Sequence, residues 1–288
     1  MVETRSPSLL KFFLITFAIT WPCFSAVAAI SAGFAPNFAG LRGPILFLGI
    51  FAPAIVALSL TARAEGSEGV LALLRRLVKG DVAVRWYVFA IGYMAAVKLA
   101  VALLHRVFLG VWPRFGTDPW YIILGATIFS LVVGGQTGEE IGWRGYALPR
   151  LANRFGYAGA SILLGVIWAL WHLPLFFVRD ADTYRQSFFL YTLQVTAISV
   201  AMAWLYERTN GSLLLTMLLH SAINQSKGIV PSGVPGATNS FTFSASTTGW
   251  ITVAVLWLCA GYFLDSMRRS AQRQEYPATL SPDAAASR

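Results

Sequence analysis

The chain has 288 residues, of which 56% are hydrophobic and only 12% are charged, and its mean hydropathy is +0.62. About a quarter of the residues of a soluble domain are charged, so this composition excludes a soluble domain and indicates a polytopic membrane protein. The formal net charge of +9 does not indicate a nucleic-acid partner, because the basic residues lie mostly in short loops and at the C-terminus. The 18 Arg against 4 Lys, with abundant Ala, are typical of a GC-rich bacterial genome.

Eight apolar runs follow one another with short connections, and their lengths are close to the ~20 residues that a helix needs to cross a bilayer. They predict an all-α protein with about eight transmembrane helices, in a single transmembrane domain over residues 1–268. A Leu-rich and Arg-rich stretch at 71–82 predicts a short amphipathic helix on the membrane surface. The polar tail 270–288 is predicted to be disordered. The apolar runs lie near residues 9–32, 44–62, 86–110, 119–148, 157–178, 187–206, 212–230 and 248–267.

The distribution of basic residues predicts the orientation of the chain. The termini and the loops on their side of the predicted bundle carry 15 Lys or Arg residues, and the loops on the other side carry six. Cytoplasmic loops are enriched in Lys and Arg. Both termini are therefore predicted to be cytoplasmic, in a multi-pass protein of the plasma (inner) membrane that has membrane lipids as partners and no nucleic acid.

Two adjacent carboxylates, Glu139 and Glu140, follow the apolar run 120–133. An ionised carboxylate inside a membrane segment is costly, and it is usually paired or functional. Glu140 and Arg144 share a helix face at a spacing of four residues, which predicts a structural ion pair. Glu139 points about 100° away from that face, so we interpret it as the carboxylate available for chemistry. The alternative is a pair of carboxylates that reach from a helix end toward water.

Two of the three histidines also lie deep in apolar helices. His172 follows Trp168 by one helical turn on the same face, and His220 precedes Asn224 by one turn. A single membrane histidine usually serves packing or hydrogen bonding. Two histidines, an Asn and a Glu pair on three different helices indicate a functional site.

The depth of these residues decides whether they meet. At a rise of ~1.5 Å per residue, His220 lies about 12 Å from the start of its helix near Ser212. Glu139 reaches a comparable depth only if its helix continues to about Leu148. Under that condition the residues line an intramembrane cavity that opens to the cytoplasm. Lys98, inside the third apolar run, is interpreted as a side chain that pairs within the bundle.

The same residues suit two kinds of hydrolytic chemistry. In a metal site, Glu139, His172 and His220 would hold a divalent ion such as Zn²⁺ with one open position for water. In a metal-free site, the carboxylate would deprotonate water while a second polar pair stabilises the oxyanion. The spacing does not decide between the two.

Three motifs in successive predicted membrane helices match the patterns E-E-x-x-x-R, aromatic-x-x-x-H and H-x-x-x-N. The motif residues are Glu139, Glu140 and Arg144, then Trp168 and His172, then His220 and Asn224. In this order they resemble the CPBP family, which comprises the type 2 (Rce1-like) CAAX prenyl proteases and their bacterial relatives and is also called the ABI family. The resemblance covers roughly residues 119–230, the expected catalytic core. Trp168 stands where the family often has Phe.

The resemblance implies an intramembrane endopeptidase with a membrane-associated peptide or lipidated protein as substrate, CAAX-like proteins among the candidates. By position in the motifs, Glu139 and His172 would activate the hydrolytic water, and His220 with Asn224 would form the oxyanion site. The family is labelled as metalloproteases, yet a metal-free glutamate mechanism is also proposed for it, and we favour that mechanism here. The residues implied as supporting ones are Glu140, Arg144 and Trp168.

Two other functions fit the same residues. A catalytically silent membrane partner, such as a bacteriocin-immunity protein, would use the pocket only to bind a peptide, and its phenotype would survive Glu139→Gln. A transporter would relay protons or ions through the buried Glu, His and Asn. Transporters tend to have pseudo-symmetric halves, and no internal repeat is evident here.

Overall fold

The computed structural model describes residues 9–231, 239–243 and 245–275, and all regular structure within these ranges is helical. The prediction of an all-α polytopic membrane protein is thereby confirmed. The helices of the described residues are α1 (Leu9–Ser31), α2 (Arg42–Arg75), α3 (Val84–Leu109), α4 (Trp120–Val133), α5 (Gln136–Glu140), α6 (Leu148–Trp171), α7 (Phe188–Arg208), α8 (Leu213–Gln225) and α9 (Thr247–Glu275).

Six helical runs in the described part of the chain are long and apolar enough to cross a membrane. Five of these runs contain one helix each: α1, α2, α3, α7 and α9. The sixth run is continuous from α5 through α6. The other two helices, α4 with 14 residues and α8 with 13, are shorter than the ~20 residues that a span needs. They pack against each other, and Ser221 Oγ on α8 donates a hydrogen bond of 2.6 Å to the Thr127 carbonyl on α4.

The predicted continuous helix over 119–148 is wrong. Gly134 has extended backbone angles (φ −79°, ψ 171°) and ends α4, and α5 begins two residues later. Two consecutive glycines favour such a break because they lack the side chain that would restrict the backbone. Ile50 of α2 packs so closely that a methyl group on Gly135 would lie 2.4 Å from it. The carboxylates therefore lie on a separate helical segment.

A π-helical turn over Ile141–Ala147 joins α5 to α6. Such turns are rare and frequently occur at functional sites. Gly142 allows this turn to contact α2 at Pro53, since a Cβ there would lie 2.4 Å from Pro53 Cβ and 2.7 Å from the Pro53 carbonyl carbon. The carboxylates consequently lie directly before a turn whose backbone packs closely against α2.

Two glycines with positive φ bend long helices sharply. Gly66 in α2 (φ 68°) and Gly156 in α6 (φ 64°) adopt backbone conformations that other residues rarely adopt. After Gly66 the helix continues to Arg75, and a 3₁₀ turn covers Arg76–Val78. The amphipathic helix predicted at 71–82 therefore begins earlier and ends earlier than expected.

The bundle has two ends that are held together by different contacts. The terminal end holds the first described residues of α1 and the last of α9, and the loop end lies opposite. Contacts at the terminal end include Ser212 Oγ to the Lys79 carbonyl at 2.6 Å, Arg76 Nη1 to Tyr206 Oη at 2.7 Å, Arg150 to Glu65 at 2.9 Å and Arg208 Nη2 to Ser266 Oγ at 2.7 Å. Contacts at the loop end include Arg42 to Asp180 at 2.6 Å and the Gly116 amide to the Ile229 carbonyl at 3.0 Å.

The predicted start of the disordered tail is wrong by several residues. Helix α9 runs past Ser270 to Glu275, and Ser270 Oγ donates a hydrogen bond of 3.1 Å to the Ser266 carbonyl within it. The remainder of the predicted tail, 276–288, lies outside the described residues.

Candidate functional site

The last turn of α6 is fixed to α1 and α2 by one threonine. Trp171 Nε1 donates a hydrogen bond of 2.9 Å to Thr20 Oγ1, which in turn donates one of 2.9 Å to the Gly49 carbonyl. Both side chains are buried. This chain of bonds holds the end of α6, and with it His172, beside α2 and the carboxylates of α5.

The predicted ion pair between Glu140 and Arg144 is present and completely buried. Arg144 Nη1 lies 2.9 Å from Glu140 Oε1, and neither side chain is exposed. The same Oε1 accepts a second hydrogen bond of 2.9 Å from His220 Nδ1 on α8. The contact with His220 was not predicted. It links two of the three motifs directly.

Glu139 is held by the second motif. Trp168 Nε1 donates a hydrogen bond of 2.7 Å to Glu139 Oε2. His172 Nε2 lies 4.0 Å from the same carboxylate oxygen, which is too long for a direct hydrogen bond. The expectation that Glu139 has no pair on its own helix is correct, but the carboxylate is not free, because the tryptophan fixes one of its oxygens.

The hydrogen bonds define which nitrogen of each imidazole carries a proton. His172 Nδ1 lies 2.8 Å from the Trp168 carbonyl, which can only accept, so Nδ1 donates. Neutral His172 therefore presents the lone pair of Nε2 toward Glu139. His220 Nδ1 donates to the Glu140 carboxylate in the same way, which leaves its Nε2 as the remaining polar atom.

Trp168 contacts both histidines, Arg144 and Glu139. The Arg144 guanidinium lies 4.3 Å from the centre of its ring, a distance typical of a cation–π contact. The rings of His172 and His220 lie edge to face with it, at centroid distances of 5.6 Å and 5.2 Å. One aromatic side chain thus contacts both histidines and the guanidinium of the ion pair, and it fixes one oxygen of the Glu139 carboxylate.

A cavity of about 620 Å³ lies against this constellation. Trp168, His172, His220 and Asn224 form part of its wall. Glu139 is only 7% exposed and contacts that wall through Trp168 and His172. Asn224 is exposed on the wall one helical turn from His220 toward the loop end, so the predicted shared face of the two residues is present.

Two cavity residues were not assigned to the site from the sequence. Lys98 on α3 is 3% exposed and lines the cavity, whereas the sequence indicated only a lysine within an apolar run. Tyr191 on α7 also lines it, with its ring 5.6 Å from the ring of His172. Tyr191 lies in an aromatic-rich run without any distinguishing motif, so the sequence held no signal for it.

The cavity opens at the loop end of the bundle. Its outer wall comes from the segments that connect α3 to α4, α6 to α7 and α8 to α9. The residues that these segments contribute include Arg114, Asp118, Asp182 and Lys227. The first described residues of α1 and the last of α9 are at the terminal end. A cytoplasmic mouth and cytoplasmic termini were both predicted, and this arrangement makes the two predictions incompatible.

The described residues do not fit a metal centre as they are arranged. No group of three His, Cys, Asp or Glu side chains in the described ranges is placed to hold a metal ion together. The three ligands expected for Zn²⁺, which are Glu139, His172 and His220, therefore do not converge on one point.

The fold and the site define a class of protein. It is a multi-pass helical membrane protein with a buried carboxylate and histidine site beside an intramembrane cavity. Residues 119–226 match the family described as "Type II CAAX prenyl endopeptidase Rce1-like". The chain is also 28% identical over 222 residues to CAAX prenyl protease 2 of Methanococcus maripaludis, an alignment that covers 74% of this chain and 81% of that protein. Both comparisons support a relationship of this chain to the Rce1-like (CPBP) family of intramembrane endopeptidases.

Proposed function

We propose that the chain hydrolyses a peptide bond of a membrane-associated polypeptide, with Glu139 as the general base. The observation that carries this proposal is the 4.0 Å separation between Glu139 Oε2 and His172 Nε2. Both atoms are hydrogen-bond acceptors, since the proton of neutral His172 is on Nδ1. One water that donates to both atoms, with bonds of about 2.8 Å, fits between them.

The reaction then follows from the positions of the polar groups. Glu139 takes one proton from the water as its oxygen attacks the carbonyl carbon of the substrate. His172 holds the water through its second hydrogen. The protonated carboxyl group returns its proton to the amine nitrogen as the C–N bond breaks, which restores the carboxylate.

His220 and Asn224 support the developing negative charge. Asn224 carries an amide N–H on the cavity wall, and His220 Nε2 donates when the ring carries its second proton. Donors held in place before the reaction stabilise an oxyanion without reorganisation, and one such donor contributes about 3 to 4 kcal/mol. Glu140 and Arg144 fix the orientation of His220 and so act as positioning residues.

The metal-free route is proposed for this chain because Glu139, His172 and His220 are not placed to hold one metal ion together. A zinc ligand set needs three side chains that converge within about 2.0 to 2.2 Å of one point. The bond from Trp168 to Glu139 and the bond from His220 to Glu140 instead hold a separate base and a separate donor.

The substrate class follows from the cavity and the family. The cavity wall is within the membrane bundle, so the scissile segment must belong to a polypeptide that is anchored in or on the membrane. A lipidated CAAX-like peptide is the first substrate to test, because the relative from Methanococcus maripaludis carries the name CAAX prenyl protease 2. The proposed location is the plasma membrane, with membrane lipids as the surrounding partners.

The test is a peptidase assay on the purified protein in detergent, with a quenched fluorescent peptide that carries a lipid anchor. We expect cleavage that a chelator does not reduce, from protein that contains much less than one metal ion per chain. Stoichiometric zinc with chelator-sensitive cleavage would overturn the metal-free mechanism. No cleavage of lipidated or transmembrane peptides would favour a binding partner without catalysis.

Trp168→Phe tests how the base is positioned. Phenylalanine keeps the ring beside Arg144, His172 and His220 but deletes the N–H that bonds Glu139 Oε2. A hydrogen bond to a charged group contributes about 1.5 to 3 kcal/mol, so we expect kcat to fall roughly 10-fold to 100-fold with KM nearly unchanged. Trp257→Phe is the matched control, because its indole bonds the Leu193 carbonyl away from the site. An unchanged kcat in Trp168→Phe would show that the indole does not position the base.

A further inference from the structure

Tyr191 lies near the start of α7, next to the end of α6 that carries His172. The start of α7 is fixed by the Ser187 side chain, which caps the helix, and by a hydrogen bond of 2.7 Å from the Phe188 amide to the Ser240 carbonyl. A capped and anchored helix end holds its side chains more firmly than a loop does. Tyr191 is therefore presented to the site from a rigid element.

The ring of Tyr191 packs against two rings at the end of α6 and in the turn that follows it. Its centroid lies 5.6 Å from that of His172 and 5.1 Å from that of Phe176, with interplanar angles of 66° and 82°. Both contacts are edge to face, which is a favoured arrangement of aromatic pairs. Phe176 is only 1% exposed, so this packing belongs to the buried core. The phenol ring is thus fixed beside the imidazole of His172.

The Tyr191 hydroxyl has no hydrogen-bond partner among the residues that the structure describes, although the side chain is partly buried. Two other tyrosines show the usual arrangement: Tyr87 Oη donates a bond of 2.8 Å to the Gly80 carbonyl, and Tyr206 Oη accepts one of 2.7 Å from Arg76. Polar groups away from bulk water are normally hydrogen-bonded. Because Tyr191 lines the cavity, its hydroxyl is available to a molecule that binds there.

The proposed reaction needs a donor of this kind. His220 Nδ1 donates to Glu140, so Nε2 of the neutral ring is an acceptor and supports an oxyanion only after it gains a proton. A tyrosine hydroxyl carries its proton at neutral pH. The water between Glu139 and His172 lies about 3 to 3.5 Å from the carbonyl carbon that it attacks. The oxyanion therefore forms close to His172, the residue against which Tyr191 packs.

We propose that Tyr191 is a further catalytic residue and that its hydroxyl donates a hydrogen bond to the oxyanion of the tetrahedral intermediate. The charge builds on the former carbonyl oxygen as the bond from the water oxygen to the carbonyl carbon forms, and it is lost as the C–N bond breaks. The phenol keeps its proton throughout. Asn224 donates from α8 and Tyr191 from α7. This inference rests on the proposed peptidase function.

Tyr191→Phe tests the inference, because it keeps the ring contacts with His172 and Phe176 and deletes only the hydroxyl. Loss of one oxyanion donor lowers kcat roughly 10²-fold to 10³-fold. We expect kcat for the lipid-anchored quenched peptide to fall about 10²-fold, with KM within about threefold of its natural value. Tyr262→Phe is the matched control. Tyr262 is 66% exposed on α9 and lies outside the cavity wall, so its substitution should leave kcat unchanged.

Two uncleaved analogues of the same peptide separate support of the oxyanion from binding of the substrate. A phosphinic peptide carries a tetrahedral, anionic centre in place of the scissile carbonyl, whereas a peptide with CH₂–CH₂ in place of the scissile amide carries no oxygen there. In Tyr191→Phe the Ki of the phosphinic peptide should rise by the factor by which kcat/KM falls, about 10²-fold. The Ki of the other analogue should not change. Equal losses for both would overturn the inference.

Thermal unfolding shows whether the hydroxyl has a structural role instead. Since the Tyr191 hydroxyl has no partner within the described part of the chain, Tyr191→Phe should unfold at a midpoint equal to or above that of the natural chain. A lower midpoint together with a lower kcat would assign the hydroxyl to stability and overturn the inference. An unchanged kcat would also overturn it and leave the proposed peptidase in place. No cleavage by the natural chain would contradict the proposed function, and the inference would fall with it.

Discussion

Glu139→Gln is expected to lower kcat for peptide hydrolysis about 10³-fold, within the range of roughly 10² to 10⁴ that general-base catalysis contributes. The substitution keeps the shape of the side chain, and the amide oxygen can still accept the hydrogen bond that Trp168 donates to Glu139. What it removes is the ability to take a proton from water. The loss should therefore be chemical, with the protein still folded.

The measurement is the initial rate of cleavage of the anchored peptide, together with the elution profile and thermal midpoint of each variant. Glu65→Gln is the matched control. Glu65 pairs with Arg150 at the terminal end, its side chain is 46% exposed, and its substitution should leave kcat unchanged. A Glu139→Gln variant that keeps more than a tenth of the activity would remove Glu139 from the role of base. If Glu140→Gln were inactive with an intact fold while Glu139→Gln remained active, the two carboxylates would exchange roles.

Arg144→Met is expected to destabilise the folded protein by about 3 to 5 kcal/mol, because it leaves the carboxylate of Glu140 buried without its guanidinium partner. Among the residues that the structure describes, His220 would remain as the group that bonds that carboxylate. The cost arises from the unpaired charge rather than from the lost packing, since methionine retains much of the aliphatic volume. Denaturant or thermal unfolding in a mild detergent measures it.

Two comparisons isolate the buried charge. Glu65→Gln breaks an exposed pair, and solvent screening limits its expected cost to at most about 1 kcal/mol. The double variant Glu140→Gln with Arg144→Met removes both charges and should be more stable than Arg144→Met alone. Two results would contradict the assignment of Glu140 and Arg144 as a buried structural pair. One is an Arg144→Met variant that is no less stable than Glu65→Gln. The other is a double variant that is less stable than Arg144→Met.

The local part of the site was predictable from the sequence. A spacing of four residues placed Glu140 with Arg144, Trp168 near His172, and His220 on the same helix face as Asn224, and the structure has all three arrangements. These contacts follow from helix periodicity alone. Hydropathy located the apolar helices because the length of a span is set by the thickness of the bilayer.

Contacts between helices were not predictable in the same way. The bonds from Trp168 to Glu139 and from His220 to Glu140 join residues 29 and 80 positions apart. They depend on how helices rotate and tilt against each other, and a periodic pattern in one helix does not contain that information. The break at Gly134 was missed because the run of apolar residues continues up to it, and glycine permits a break without requiring one.

The end of the bundle at which the cavity opens also could not be predicted from helix patterns in the sequence. The depth of each polar residue was estimated along its own helix, and depth alone does not distinguish an opening at one end from an opening at the other. The mouth is formed by the three connections at the loop end, which have no regular pattern in the sequence. Only the assembled bundle shows that they surround His172 and Asn224.

The short length of α4 has a consequence for the lipid around it. At ~1.5 Å per residue its 14 residues extend about 21 Å, against roughly 30 Å for the hydrocarbon core of a typical bilayer. Its outer surface, with Ile122, Ile128 and Phe129 exposed, is apolar. Hydrophobic mismatch of this kind is relieved when lipid tails compress locally. Thinning of the bilayer beside α4 would bring the headgroup region closer to the depth of Glu139, so that an anchored polypeptide has less hydrocarbon to cross before it reaches the base.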